Sequence, residues 1–130
     1  MTAKPAIDNP FGDLVGLDIE QMDETGSIIA VMLAEKHLNP HRVAHGAVAY
    51  ALADTGMGAA LYPHLDASES CATIEVKISY LQAVNNGKLT ASTQLLRRGS
   101  RVAFLESVIK SESGIVATAT GSYSIFARRK

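Results

Sequence analysis

One carboxylate, that of Asp54, lies in the middle of a segment in which almost every other side chain is apolar or small. The segment runs from residue 46 to residue 62 and reads GAVAYALADTGMGAALY. Burying an unpaired carboxylate is costly. The acid is therefore either a structural residue bonded to a hydroxyl or a backbone amide, or a group that acts as a base, a nucleophile or an orienter of water.

Three residues before this segment or at its start could work with such an acid. Asn39 and His45 precede the predicted helix, and Gly46 begins it. The first turn of a helix presents free backbone N–H groups and the positive end of the helix dipole. That arrangement suits an oxyanion or a polarised carbonyl, which is the partner that a base or nucleophile at Asp54 would need.

The spacing between Gly46 and Asp54 limits how these two groups can act on the same carbonyl group. Gly46 and Asp54 are eight residues apart, which is about 12 Å along a helix axis. One helix cannot bring both to the same carbonyl carbon, whereas two helices packed antiparallel about a two-fold axis can. If the two groups act together, we expect an obligate homodimer with shared active sites.

The element that holds Asp54 is predicted to be a long helix over 46–62 that is buried nearly all round. The side chains on nearly all sides of this predicted helix are apolar or small, which is typical of a helix enclosed by other elements. Glycines as close together as Gly56 and Gly58 are unfavourable for helix formation alone. We therefore interpret the small residues of this segment as sites where strands approach the helix closely.

Strands are predicted on both sides of this helix. Segments 14–22 and 27–34 alternate and flank a turn at 23–26, which predicts a hairpin. In TIEVKISY, residues 73–80, strict alternation places Thr73 on the polar face, opposite Ile74 and Val76. Asn86-Gly87 is a hairpin signal, and further strands are predicted at 88–97, 101–111 and 115–126. We expect these last four strands to form an antiparallel meander.

Two strands, one helix and four strands have one obvious way to bury their apolar surface. The sheet of about six strands curls around the helix, which makes an α+β fold in a single domain spanning residues 1–130. An apolar content of 47% is ordinary for a globular protein. The net charge of −1 and the low aromatic content of 5% argue against nucleic-acid binding.

The expected compartment is the cytoplasm. Cys71 is the sole cysteine of the sequence, so no internal disulfide can form. The first 13 residues lack the apolar core of a signal peptide. Segment 46–62 is short for a membrane span and has an acid at its centre, so no membrane association is expected.

The spacing of Asn39, His45-Gly46 and Asp54 resembles that of the hotdog-fold thioesterases, in particular the phenylacetate-degradation type, which is grouped with the 4-hydroxybenzoyl-CoA thioesterases. Those proteins carry an N-x-x-G-x-x-H-G-G segment that leads into a central helix with an acid about two and a half turns in. The resemblance covers roughly residues 11–127 and includes the TIEVKISY segment after the helix. It implies hydrolysis of an acyl-CoA thioester without a cofactor, by a homodimer that further pairs into a dimer of dimers.

The resemblance also implies a role for each matching residue. The Gly46 amide polarises the thioester carbonyl, and Asp54 of the partner subunit activates water or attacks directly. Asn39 orients the water or the carbonyl, and His45 supports the loop. Thr73 falls where relatives place a hydroxyl that holds the water beside the acid.

Two positions depart from the family signature, and they bear on substrate choice. Arg42 stands where a glycine is expected, and it could contact a CoA phosphate, contact a carboxylated acyl group or face solvent. Ala47 replaces the second glycine and narrows the approach to the helix start. Arg97 and Arg98, at a predicted turn, either are solvated or bind the phosphates of CoA.

Other functions were weighed against hydrolysis. His37, His41 and His45 are four apart, but Pro40 interrupts a continuous helix there, so no metal site is expected. A non-catalytic acyl-CoA binder or sensor on the same scaffold is the main alternative. A hotdog-fold hydratase or dehydratase ranks below it, because the segment HLNPHRVAHG has no acid before the Asn-Pro pair.

Overall fold

The computed structural model describes residues 7–129, so part of the segment used for the signal-peptide expectation, residues 1–6, lies outside the described residues. Two short 3₁₀ turns, Glu35–His37 and Tyr62–His64, flank the longer helix. The helices and strands, in chain order, are α1 Pro10–Val15, β1 Asp18–Asp23, β2 Gly26–Met32, α2 Gly46–Leu61, β3 Glu69–Tyr80, β4 Lys88–Arg98, β5 Val102–Ser111 and β6 Gly114–Ala127.

The central helix predicted over 46–62 is confirmed as α2, Gly46–Leu61. One antiparallel sheet of six strands, in the order β1-β2-β4-β5-β6-β3, wraps around it, and α2 contacts all six strands. Because strands surround most of the helix, its apolar faces are buried in several directions at once. The predicted α+β architecture, the hotdog fold, is therefore confirmed. The buried residues of α2 are Val48, Ala49, Ala51, Leu52, Ala53, Gly56, Met57, Ala59, Ala60 and Leu61.

The first predicted strand began too early, because residues 10–15 form the helix α1. The side chain of Asn9 caps this helix by accepting from the Gly12 amide, and Pro10 occupies its first position. Gly16 ends it in a left-handed conformation with φ of 92°. The strand of the predicted hairpin therefore starts at Asp18, and its pairing with β2 is as expected.

The predicted four-strand meander is correct for β4, β5 and β6 but wrong for β3. β3 pairs with β6 at one end of the sheet, whereas β4 pairs with β2 and β5. Gly87 does make a turn, with φ of 84°. The loop before it is tied to the chain preceding α2 by a hydrogen bond from Ala44 N to Val84 O. A turn dipeptide predicts the turn but not which strands it joins, and here it does not close a hairpin.

A β-bulge changes which face of β3 carries Thr73. The register of β3 with β6 shifts between Thr73 and Glu75, so Ile74 is the extra residue. Thr73 pairs with the buried Tyr123 and faces the helix, on the same side as Val76. The strict alternation predicted from the sequence, with Thr73 on the opposite face from Val76, is therefore wrong at this point. Ile74 itself is 56% exposed.

Close packing explains the glycine at position 56. A Cβ there would lie 2.6 Å from Thr93 Oγ1 on β4. The Gly56 carbonyl accepts a hydrogen bond of 2.6 Å from Ser27 Oγ, and Thr93 Oγ1 donates to Ser107 Oγ at 2.9 Å. These three hydroxyls are buried and satisfied, so Ser27 ties α2 to β2 while Thr93, which packs on Gly56, bonds β4 to β5.

Gly56→Ala is expected to lower the free energy of unfolding by about 1–3 kcal/mol, because the new methyl group overpacks a rigid backbone-and-hydroxyl contact. Gly58→Ala is the matched control in the same helix, because its Cβ would come no closer than 3.9 Å to Tyr123. That variant is expected to raise stability by up to about 1 kcal/mol through helix propensity. Chemical denaturation measures both, and equal losses in the two variants would contradict the packing interpretation.

Candidate active site

The Asp54 carboxylate lies between two hydroxyl groups of the sheet. Thr73 on β3 donates its Oγ1 to Asp54 Oδ1 at 2.8 Å. Tyr123 on β6 donates its hydroxyl to the same carboxylate oxygen and lies 2.7 Å from the Asp54 main-chain oxygen. Asp54 is half-buried rather than enclosed. One carboxylate oxygen is thus held by two donors, while Oδ2 accepts from none of the side chains in residues 7–129.

Tyr123 is a member of this site that sequence reasoning missed. Its side chain is only 3% exposed, and it pairs directly with Thr73 across β3 and β6. Burial first, and then the hydrogen bond to the Asp54 carboxylate, raise the pKa of Tyr123 well above its ordinary value. The phenol therefore stays protonated and remains a donor. The available signal was a tyrosine at an inward position of a strand, since a buried tyrosine hydroxyl needs a partner.

The start of α2 has an unoccupied backbone donor. His45 caps the helix, and its Nδ1 accepts from the Ala47 amide at 2.9 Å. The Gly46 N–H donates to no group in the described part of the chain. A Cβ at Gly46 would lie 3.0 Å from the hydroxyl of Tyr80, which donates to the Gly46 carbonyl at 2.7 Å. The tyrosine thus packs on the glycine, and the amide on the other side stays free.

The loop before α2 is shaped by Asn39 and Arg42. Asn39 Oδ1 accepts from His41 N at 2.9 Å and from Val43 N at 3.4 Å, which closes a turn. Its amide nitrogen donates to nothing within residues 7–129, so it is available to a ligand. Arg42 has φ of 66°, the left-handed conformation that favours glycine. This left-handed backbone conformation explains why the family signature has glycine at that position.

The side chains of Arg42 and Ala47 differ in their relation to the helix start. Arg42 forms an exposed ion pair of 2.5 Å with Glu35. Its guanidinium is thus turned to a solvent-facing partner, and nothing in the structure directs it toward Asp54. Ala47 lies on the first turn of α2 with an exposed side chain and with its amide occupied by His45. Ala47 therefore borders the free Gly46 amide without competing for it.

The two arginines at the end of β4, Arg97 and Arg98, also have different surroundings. Arg98 donates to Glu69 at 2.6 Å, to the His64 carbonyl at 3.1 Å and to the Gly99 carbonyl at 3.2 Å. It ties the end of α2 to the start of β3. Arg97 is exposed and has no ion-pair partner in the described part of the chain. Only Arg97 of this pair is free to meet an anion.

The structure brings some of the predicted residues together and leaves others apart. Asp54 and Thr73 are in contact, and His45 and Gly46 form the start of α2, while Asn39 lies in the turn that precedes them. Gly46, at the start of α2, and Asp54 are about 12 Å apart along the helix axis. No cluster of three or more His, Cys, Asp or Glu side chains within residues 7–129 is arranged to hold a metal ion. None of the helices described there is long and apolar enough to cross a membrane.

Comparison with known proteins places this arrangement in a family. The model of the thioesterase superfamily matches residues 41–118. A curated protein of Archaeoglobus fulgidus, named "Putative esterase", is 30% identical over 112 residues, which cover 85% of this chain and 71% of that protein. The chain therefore belongs to the thioesterase superfamily, and this membership supports hydrolase activity on thioesters in general.

Solved structures agree with the fold. A variant of the phenylacetic acid degradation protein PaaI from Thermus thermophilus superposes with a TM-score of 0.83 at 24% identity, covering 89% of this chain and 98% of that one. A thioesterase from Haemophilus influenzae superposes with a TM-score of 0.86 at 21% identity, covering 92% and 85%. At such identities the likeness extends to the fold alone.

Proposed function

We propose that this protein is an acyl-CoA thioesterase that hydrolyses its substrate to the free acid and CoA. The observation that carries the proposal is the Asp54 carboxylate, held through one oxygen by Thr73 and Tyr123, on a helix whose first amide donates to no group within residues 7–129. A carboxylate in this state can take a proton from water or attack a carbonyl carbon. A free amide at a helix start can stabilise the oxyanion that forms.

The active unit in this proposal is a homodimer. Gly46 and Asp54 are too far apart on one helix to meet the same carbonyl group. Antiparallel packing of two α2 helices would place the Gly46 amide of one subunit opposite the Asp54 carboxylate of its partner. The outer face of α2 suits such packing, because it is partly exposed at Ala47, Tyr50 and Asp54. A dimer of dimers and a cytoplasmic location are part of the same proposal.

The remaining residues have supporting roles. Thr73 and Tyr123 orient the carboxylate, and Thr73 also holds the attacking water. The free amide nitrogen of Asn39 orients the water or the carbonyl, and His45 keeps the helix start in place through its bond to Ala47. Ala47 borders the approach of the thioester. Arg42 and Arg98 are engaged by Glu35 and Glu69, so either would bind substrate only by exchanging that ion pair for a substrate anion.

The first experiment is thiol release by the wild-type protein from a panel of aromatic and aliphatic acyl-CoAs, with equilibrium binding measured in parallel. Catalytic turnover of at least one ester supports the proposal. Saturable binding of CoA esters without release of CoA would instead establish the non-catalytic binder or sensor. Absence of both would exclude either function for this chain.

Thr73→Ala is expected to lower kcat roughly 10- to 100-fold, because a hydrogen bond to a charged group contributes about 1.5–3 kcal/mol. Thr73→Ser, which keeps the hydroxyl, is the matched control and is expected to retain most of the activity. Thr73 is exposed, so neither change should cost much stability. Steady-state kinetics with the best ester measures kcat of both variants. Similar losses of kcat in Thr73→Ala and Thr73→Ser would mean that the hydroxyl has no role in the mechanism.

Arg97→Ala is expected to raise KM for the CoA ester several-fold with little change in kcat, because an exposed arginine at a CoA phosphate contributes to binding alone. The effect should shrink as salt concentration rises. The same assay with an ester of N-acetylcysteamine, which lacks the phosphates, is the control. An equal effect on both esters would show that Arg97 does not contact the nucleotide part.

A further inference from the structure

An apolar groove runs along the second half of α2, on the side that faces β1. Its volume is about 560 Å³. The helix contributes Thr55, Gly58, Ala59 and Tyr62, and none of the described residues that line the groove is charged. The other lining residues are Ile7, Asn9, Ile19 and Met22. No residue assigned a catalytic role above lies in this list, so the groove is distinct from the hydrolytic centre.

A second β-bulge builds the outer wall of this groove. The register of β1 with β2 shifts between Ile19 and Gln21, so Glu20 is the extra residue. Ile19 pairs with the buried Ile29 and Met22 pairs with the buried Ser27, so both side chains face the helix although they are three residues apart. The flexible thioether of Met22 and the branched side chain of Ile19 thus stand opposite a helix face that has small residues. The space between them stays open.

Gly58 connects the groove to the Asp54 carboxylate. It lines the groove, and a Cβ at its position would lie 3.9 Å from the ring and the hydroxyl of Tyr123. That hydroxyl donates to Asp54. Because Gly58 has no side chain, a flexible chain can pass from beside the carboxylate into the groove. Thr55, the next residue after Asp54, forms the near end.

The lining indicates the chemistry of the occupant. A carboxylated acyl group would leave its charge without a partner among residues 7–129, since none of the described lining residues is a cation. The Asn9 side-chain oxygen is engaged by the Gly12 amide, so the polar groups left to an occupant are the Asn9 amide nitrogen and the hydroxyls of Thr55 and Tyr62. From Thr55 to Tyr62 the groove follows the helix for about 10 Å, the length of an extended chain of about eight carbons. The Met22 side chain, which has three rotatable bonds, can adapt to a flexible chain better than to a planar ring.

We infer that this groove takes the acyl chain of the substrate and that the preferred substrates are uncharged, medium-chain aliphatic acyl-CoAs. The inference rests on the proposed thioesterase function and deepens it. It makes Met22 and Ile19 determinants of chain length, although neither touches the reacting atoms. Burial of the chain between these side chains and the helix would add binding energy with each methylene group.

The test compares kcat/KM for acetyl-, butyryl-, octanoyl-, palmitoyl-, succinyl- and benzoyl-CoA in wild type, Met22→Trp and Met32→Trp. Wild type is expected to prefer octanoyl-CoA over acetyl-CoA and succinyl-CoA by at least about tenfold. Met22→Trp fills the groove, so its octanoyl activity is expected to fall about tenfold while butyryl activity stays within about twofold. Met32, which is 63% exposed and outside the groove, provides the same substitution as a control without effect.

Several outcomes would overturn the inference while the thioesterase function stands: preference for benzoyl- or succinyl-CoA, or an equal effect of Met22→Trp on all chain lengths. If none of the esters is hydrolysed, the proposed thioesterase function and the assignment of the groove to the acyl chain are both wrong. Ile19→Phe, a smaller change in the same wall, is the second variant and is expected to shift the optimum toward shorter chains. Thermal unfolding and size measurement of each variant separate a filled groove from a damaged fold.

Discussion

Asp54→Asn is expected to lower kcat for thioester hydrolysis about a thousandfold and to leave KM within about twofold. Asparagine has the shape of aspartate, and its carbonyl oxygen can still accept from Thr73 and Tyr123. It cannot take a proton from water or attack a carbonyl carbon. The variant therefore removes the chemistry and keeps the hydrogen bonds that position the residue.

Measurement of Asp54→Asn requires a folded and assembled protein. Thermal unfolding and size-exclusion chromatography should match wild type, since the neutral amide replaces the acid in an already satisfied position. Binding of a non-hydrolysable CoA thioether should also be retained. Equal turnover by Asp54→Asn and wild type would mean that Asp54 is structural and that another group performs the hydrolysis.

Gly46→Pro is expected to lower kcat about 10²–10³-fold, the loss typical of removing one oxyanion donor. Proline is tolerated at the first position of a helix, where it deletes an N–H that has no partner inside the helix. The preceding residue, His45, has φ of −60° and ψ of 138°, which a following proline permits. The backbone can therefore accept this change without rearrangement.

Gly46→Ala is the matched control for this variant. Both substitutions add a Cβ close to the Tyr80 hydroxyl, and only alanine keeps the N–H. The difference in kcat between the two variants isolates the contribution of the amide. Similar kcat values for alanine and proline would remove the Gly46 amide from the mechanism and leave only steric effects at the helix start.

Mixing the two inactive variants, Asp54→Asn and Gly46→Pro, tests whether the sites are shared between subunits. After subunit exchange, half of the dimers are mixed, and in each of those one site has both functional groups intact. About a quarter of the wild-type activity should return under this statistical exchange. A mixture that stays as inactive as either variant, with exchange verified by mass spectrometry, would place the two groups in one subunit.

Much of this fold follows from local patterns in the sequence. The apolar segment around Asp54 predicted the central helix within one residue of its end, and alternation predicted the three strands β4, β5 and β6. These strands alternate over most of their length and are bounded by glycine turns, although bulges shift the register between Leu95 and Arg97 on β4 and between Ile109 and Lys110 on β5. Because the helix is apolar on nearly all sides, curling the sheet around it is the one obvious way to bury the apolar surface of both.

Features that depend on tertiary context could not be predicted from such patterns. The bulge at Ile74 reverses the face of Thr73, and no local residue preference marks that position. The pairing of β3 with β6 results from long-range burial. Tyr123 and Asp54 are 69 residues apart in the chain, so their contact required the folded sheet. The left-handed Arg42 was visible only as a departure from the family signature, without its backbone cause.

The distance between Gly46 and Asp54 on α2 has a kinetic consequence at low protein concentration. If each reaction needs one group from each of two copies, a lone chain has no complete catalytic centre. Below the dissociation constant of the pair, the hydrolysis rate would fall with the square of the protein concentration, and specific activity would decline on dilution. Cellular output would then respond more than proportionally to changes in expression, so halving the synthesis would lower the output about fourfold.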